Sequence, residues 1–429
     1  MNEILLTYLV LAITSALAFL SYCIPRMQSN VFILICSWIL FALFYAAGTL
    51  FNQEQQMRAL ISTVGQIDFY ALVVDGMLCY LLYAGCLHVD IDSFFEKMKI
   101  ILTLAIGTTM CSFFVTAYAI HGLLELLGIH YPMVTCFLYA AIIAPTDPVA
   151  VLALLKNLDL SKLLYAKIAS ESLLNDGVGV VLFVSVLKFK DVVQIDRSML
   201  FDMVGFFLYE GLGGFFLGLS LAFLMLRYAL PDRSANEHLK VSNRDIFLLM
   251  ALLNFGYLFA RLLHVSPPLV AVGAGLYTSY TVQHMTQANR SAVYVFWDTI
   301  DEILNYVLFF IVGFQVVFVD ISQHYLIAMS LAVLVNFLVR VVSVSLPLLS
   351  IRVGYRQNTT LYKILVIGGL KGGLSLALAL SVPRDFPGFD LIFDMTYAVV
   401  AFTVIVQGLS IERYLKVLQS RRVEDTVVI

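Results

Sequence analysis

The sequence is poor in charge: Asp, Glu, Lys and Arg make up 13% of its 429 residues, against roughly a quarter in ordinary soluble domains. It also has no long hydrophilic stretch, the longest being the connection from Pro231 to Arg244. These two deficits leave no room for a sizeable soluble domain. Basic residues form no arm and are not interleaved with aromatics, which removes nucleic acid from the expected partners. The formal net charge of −3 points to no other. The six cysteines show no metal-ligand spacing and read as small packing residues without a redox role. A phosphate-cradling Gly-rich loop is missing too, so no nucleotide and no other cofactor is expected, and any transport would draw on ion gradients.

What is present is apolar sequence, 61% of the chain, in runs of about twenty residues, each long enough to cross a hydrocarbon core of roughly 30 Å. The first run, Leu5 to Ile24, lacks a basic leader and a small-residue cleavage site, so it reads as a span and not a signal peptide. The pattern predicts an all-α polytopic membrane protein with about thirteen transmembrane helices, centred near Thr14, Phe41, Leu78, Met110, Ile143, Val178, Phe216, Leu253, Val272, Phe309, Ala332, Gly373 and Thr403. The polar segment Asn52 to Gln66 reads as an interfacial helix or loop. Of the 26 basic residues, 18 fall in connections on the side opposite the N-terminus, 6 on its own side, and Arg340 and Lys371 within spans. That bias puts the N-terminus outside and the C-terminus in the cytoplasm of the cell. The expected location is a plasma membrane, with lipid as the surrounding partner.

Two spans are interrupted. The fifth carries Pro145 and Pro148 around Thr146 and Asp147, and the twelfth carries Gly368-Gly369-Leu370-Lys371-Gly372-Gly373. Proline removes a backbone donor and clashes with the preceding turn, and glycine weakens a helix by roughly 1 kcal/mol. With the seventh span as a linker helix at about 200–229, the chain divides into two six-helix halves, roughly 1–190 and 245–417, with a short tail at 418–429. Each break then falls in the fifth span of its half, the pattern of an inverted-repeat transporter with its site at the midplane.

Ionisable side chains at bilayer depth are costly and mark ion or proton paths. Asp147, Glu171 and Asp176 lie in two neighbouring spans. In the sixth span Glu171 and Asn175 are four residues apart and share one face, while Ser172 and Asp176 share the face about 100° round. A hydroxyl and a carboxylate are hard oxygen ligands suited to an alkali cation, and Asp147 with the freed carbonyls at the break could complete the shell. For Ser172 a plain role in helix–helix hydrogen bonding stands beside the ligand reading. Asp176 is the group expected to exchange a proton for a cation, with Asp147 kept ionised at a half-helix N-terminus. Glu171 needs a partner, since an unpaired buried carboxylate costs several kcal/mol, and Arg340 in the eleventh span is the natural one. Lys371 could neutralise the ends of the broken helices. Asp75, Asp298, Asp301 and Glu302 could line a vestibule, though the last three read more readily as a solvated start of the tenth span.

The motifs Ala144-Pro145-Thr146-Asp147-Pro148, Glu171-Ser172-Leu173-Leu174-Asn175-Asp176-Gly177 and Gly368-Gly369-Leu370-Lys371-Gly372-Gly373 resemble those of the first group of monovalent cation/proton antiporters, the NhaP-like sodium/proton antiporters and exchangers. The resemblance spans about Val74 to Val406. It implies a homodimer, crossed discontinuous helices, and a cation or proton held at Asp176. Asp147, Ser172 and the Thr146 carbonyl help to ligate a Na+ ion, Glu171 pairs with Arg340, and Asn175 steadies the broken helix. An Asn-Asp pair, where the electrogenic branch has two aspartates, implies one-for-one electroneutral exchange. Lys371 departs from the arginine usual in the family, and a guanidinium is not interchangeable with an ammonium. The short end after the last span, without the regulatory tail of animal exchangers, suggests a bacterial source. The reading is a secondary transporter and not an enzyme, exchanging Na+, Li+ or K+ for H+ by alternating access. A K+/H+ antiporter, an organic-anion symporter and a channel on a similar fold are the alternatives. An intramembrane aspartyl protease would need a Gly-x-Gly-Asp setting that neither aspartate has.

Overall fold

The computed structural model describes residues 3–24, 29–50, 70–147, 162–189, 197–229, 243–319, 322–350 and 355–410. The segment 52–66, Pro148, most of the 231–244 connection and the 418–429 tail lie outside them. Among the described residues every regular element is helical. In chain order these are α1 (Glu3–Cys23), α2 (Ser29–Leu50), a π-helical turn (Tyr70–Met77) leading into α3 (Leu78–Leu87), α4 (Ile91–Glu96), α5 (Met98–Leu126), α6 (Met133–Ile143), α7 (Lys162–Lys188) and α8 (Arg197–Ala229). There follow α9 (Asn243–Leu263), α10 (Pro267–Gln283), α11 (Gln287–Phe314), α12 (Gln323–Ser350), α13 (Tyr355–Ile367), α14 (Gly373–Leu380) and α15 (Phe389–Phe402), which runs on into a π-helical segment (Thr403–Gln407). Eight of the described helices are long and apolar enough to cross a membrane, and shorter apolar helices lie at Tyr8–Cys23, Ala71–Leu87 and Met133–Ile143.

Large apolar side chains such as Phe19, Tyr22, Leu126, Phe216, Leu262 and Leu349 are exposed on the outside of the bundle. Apolar surface on this scale suits contact with lipid tails. Inside, one apolar core joins α5, α6, α7, α12 and α15, with Ile101, Ala105, Leu138, Phe183, Val339 and Ile392 among its buried members. A second joins α1, α2, α11 and α15, and a third joins α3, α8, α9, α10 and α11 around the buried Trp297. Lipid tails are as apolar as leucine, so helix association here depends on close fit. Gly214 and Gly218 put a small-xxx-small stripe on α8, and a Cβ at Gly218 would meet the Val270 carbonyl of α10. In return, a Cβ at Gly273 of α10 would meet the Phe215 carbonyl.

Both expected interruptions are present. Helix α6 stops at Ile143 and the chain continues without helix through Thr146, while α13 stops at Ile367 and α14 starts at Gly373. The two breaks meet: the Asp147 amide donates to the Leu370 carbonyl at 2.8 Å, as an isolated antiparallel bridge. Each break thus satisfies a backbone group that the other has freed, as an apolar setting requires. One position differs from the sequence expectation. Asp298, Asp301 and Glu302 are not at a helix start but well inside α11, whose first residue is Gln287. The helix is strongly amphipathic there, so the charges occupy one side without ending it.

Candidate functional site

The crossing of the two breaks gathers the predicted residues into one cluster. Helix α7 passes it with Glu171, Ser172 and Asn175 all buried, and Asp147 and Asp176 half-buried. Ser172 Oγ donates to the Thr146 carbonyl and lies 3.1 Å from Thr146 Oγ1. Asn175 Nδ2 donates to Thr146 Oγ1 at 2.9 Å, and its Oδ1 accepts from Thr109 Oγ1 at 2.6 Å. Asn175 therefore ties the end of α6 to α5 through one amide. The Asp176 carboxylate lies against the Thr146 backbone amide, with the carboxylates of Asp147 and Glu171 and the ammonium of Lys371 within electrostatic reach. A small cavity of about 10 Å³ adjoins Thr146, Glu171, Ser172 and Arg340, walled on its apolar side by Ile364 and Leu365.

The two positive charges of the cluster each have hydrogen-bond partners other than Asp176. Arg340 on α12 donates to Glu171 Oε1 at 3.4 Å and, through Nε, to the Leu365 carbonyl at 3.0 Å. Glu171 Oε1 also accepts from Thr108 Oγ1 at 3.2 Å. The pair is almost wholly enclosed, the two side chains being 6% and 2% exposed. Lys371 is buried, and its Nζ donates to the carbonyls of Ala144 at 3.2 Å and Pro145 at 3.0 Å. These are carbonyls at the C-terminal end of α6, where a helix carries partial negative charge. The ammonium thus caps the half-helix that Pro145 cuts short.

Glycines make the crossing possible. A Cβ at Gly372 would run into the Asp147 side chain, and one at Gly369 into the Arg340 side chain. On α7, a Cβ at Gly179 would meet Pro145, so the same helix that carries Asp176 also makes room for the first break. Asp75 lies elsewhere, in the π-helical turn before α3, with Arg261 Nη1 3.8 Å away.

The sequence reading passed over three threonines that hold this cluster. Thr108 and Thr109 on α5 bind Glu171 and Asn175 respectively. Thr403 opens the π-helical segment, where its Oγ1 accepts from the Lys371 amide at 3.1 Å. Threonines inside spans are common hydrogen-bonding glue, so only the adjacency of Thr108 and Thr109 offered a signal. A π-bulge often accompanies a functional site, and this one is not visible in the sequence.

Residues 9–417 match the protein family described as "Sodium/hydrogen exchanger, transmembrane". The chain belongs to this family. It is 33% identical over 413 residues, 94% of this chain and 93% of the relative, to a protein named Na(+)/H(+) antiporter NhaP from Pseudomonas aeruginosa. It is 30% identical to Na(+)/H(+) antiporter NhaH from Halobacillus dabanensis, over 81% of this chain and 83% of that one. In three dimensions it is similar to the sodium proton antiporter MjNhaP1 from Methanocaldococcus jannaschii, with a TM-score of 0.72, 17% identity and coverage of 95% of this chain and 100% of that chain. The NhaP-like fold expected from the three motifs is therefore the fold found. Members of the exchanger family are secondary transporters and not enzymes, and this chain is an integral membrane protein of that kind.

Proposed function

We propose that this chain exchanges Na+ for H+ by alternating access, with Asp176 holding the cation and the proton in turn. The observation that supports this most directly is the set of oxygens at the crossing: Asp176 and Asp147 carboxylates, the Ser172 hydroxyl and the Thr146 carbonyl, on two broken strands of backbone and one continuous helix. Ser172 donates its proton to the Thr146 carbonyl. Rotation of that hydroxyl turns both oxygens toward an incoming cation, and the small hard Na+ ion takes oxygen ligands of this kind.

The charges account for the coupling. Glu171 and Arg340 cancel as a pair, and Lys371 offsets one of the two aspartate charges at the crossing. Asp176 is then neutral when protonated and neutral when it holds Na+. With neither, the site keeps one uncompensated negative charge at bilayer depth, which disfavours reorientation of the empty carrier. Exchange is thereby tight and electroneutral, one cation for one proton. Asn175 contributes by hydrogen bonding without adding an ionisable group. The same reading takes the chain as two inverted repeats in a homodimer, with its C-terminus in the cytoplasm of a plasma-membrane-bound cell, as the basic-residue count favours.

The test is exchange in proteoliposomes loaded with a pH-sensitive dye. Addition of Na+ should drive proton movement that an imposed membrane potential does not alter, and Asp176→Asn should abolish it while leaving a folded protein. Retained exchange in Asp176→Asn would remove Asp176 as the shared site. Running Li+ and K+ beside Na+ tests the cation assignment, and a larger response to K+ would replace Na+ with K+ as substrate.

A further inference from the structure

The second break has few means of satisfying its own backbone. Its residues are Gly368-Gly369-Leu370-Lys371-Gly372-Gly373, and the one polar side chain among them, Lys371, has its Nζ on the Ala144 and Pro145 carbonyls. Backbone groups freed at bilayer depth need partners, and here a neighbouring helix supplies them. Thr403 and Gln407 are the first and last residues of the π-helical segment that ends α15. Thr403 is buried, and its Oγ1 accepts from the Lys371 amide at 3.1 Å. As a donor the same hydroxyl has two carbonyls in reach, Lys371 at 3.3 Å and Val400 at 3.1 Å. Gln407 Nε2 donates to the Ile367 carbonyl at 3.3 Å. Ile367 is the last residue of α13, where a carbonyl has no partner within its own helix.

The two side chains thus bracket the break, one at each edge. Between them, the Leu370 carbonyl accepts from the Asp147 amide at 2.8 Å, and Lys371 caps α6. The loop that carries Thr146 and Asp147 is therefore hung on Leu370 and Lys371, and these are held by α15. A π-helical turn is rare and is often found at functional sites. The bonds of this one go to the backbone that positions the cation's oxygens.

We propose that Thr403 and Gln407 are positioning residues for cation binding: the π-helical turn of α15 braces the second break and, through Leu370 and Lys371, fixes the Thr146–Asp147 loop. This rests on the antiport reading above. Neither side chain is a ligand. Thr403 secures the Lys371 edge and Gln407 the α13 edge. Release of either loosens the oxygens around Na+ without adding or removing a charge, so binding weakens while the exchange stays electroneutral.

The experiment is Na+-driven proton exchange in proteoliposomes by the full chain carrying Thr403→Val, which keeps the shape of the side chain and removes its hydroxyl. The KM for Na+ should rise about tenfold, the order of factor set by one buried backbone group left without its partner. The maximal rate should stay within about twofold of wild type, as expected when only binding is lost. Thr403→Ser keeps the hydroxyl and should return the KM to the wild-type value. Gln407→Met keeps the length and removes the donor. It should raise the KM about threefold, and it carries the test if the valine protein fails to insert. An unchanged KM, whatever the melting temperature, would reduce both side chains to plain helix contacts and overturn the proposal. A lost maximal rate at constant KM, or a serine variant that behaves like the valine one, would overturn it too. Failure of the antiport reading shows separately, as exchange that persists in Asp176→Asn.

Discussion

Removing Arg340 leaves Glu171 as a buried carboxylate hydrogen-bonded by the neutral Thr108 hydroxyl. At the observed 3.4 Å, Coulomb attraction between unit charges is about 5 kcal/mol at an effective dielectric constant of about 20. Desolvation of the two ions cancels most of this in the intact pair, so the pair itself adds little net stability. Breaking it is another matter: one uncompensated buried charge costs about 3–5 kcal/mol. Arg340→Ala should therefore lower thermal stability in detergent markedly. Combining Glu171→Gln with Arg340→Met should restore most of the loss, since a buried pair replaced by groups of similar shape is close to neutral. Thermal unfolding followed by size-exclusion chromatography measures all three proteins. Arg340→Ala as stable as the wild type, or a double variant no better than the single one, would refute the reasoning. The rescued double variant also separates two roles of Glu171. If the glutamate is a structural partner, exchange returns with stability, and if it is an ion ligand, exchange stays lost.

Two further outcomes follow from the crossing. In Gly372→Ala the new Cβ would sit 2.7 Å from the Asp147 Cβ, and overpacking of this kind costs about 1–3 kcal/mol. The protein should still insert, with exchange reduced more than tenfold in the dye assay because Asp147 must move, and wild-type exchange would contradict the close approach. Lys371→Met removes two charge-assisted bonds, to the Ala144 and Pro145 carbonyls, each worth about 1.5–3 kcal/mol. Its melting temperature should fall and its exchange should be lost, whereas an unchanged melting temperature would show that the ammonium does not cap α6.

Both breaks were legible in the sequence because Pro145, Pro148 and the four glycines from Gly368 to Gly373 stand in otherwise helical, apolar runs. The Glu171–Arg340 pair was legible by a similar economy: a charge at bilayer depth requires a partner, and Arg340 stood alone in its span. What the sequence withheld is three-dimensional. That the breaks meet, through the Asp147 amide and the Leu370 carbonyl, depends on the relative placement of segments more than two hundred residues apart. Thr108, Thr109 and Thr403 are chemically ordinary for a span and gain their meaning only from what they touch. Asp298, Asp301 and Glu302 were misplaced because a polar stretch looks like a helix start when its neighbours are unseen. On α11 Asp298 binds His88, Glu302 binds Tyr22, and the helix continues through both.

The claim that a single carboxylate carries cation and proton alternately is tested most directly by counting protons released when Na+ binds. In weakly buffered detergent solution at a pH where Asp176 is protonated, saturating Na+ should release one proton per protomer from the wild-type protein and none from Asp176→Asn. Release that persists in Asp176→Asn, or Na+ binding to the wild type with no proton released, would contradict the account.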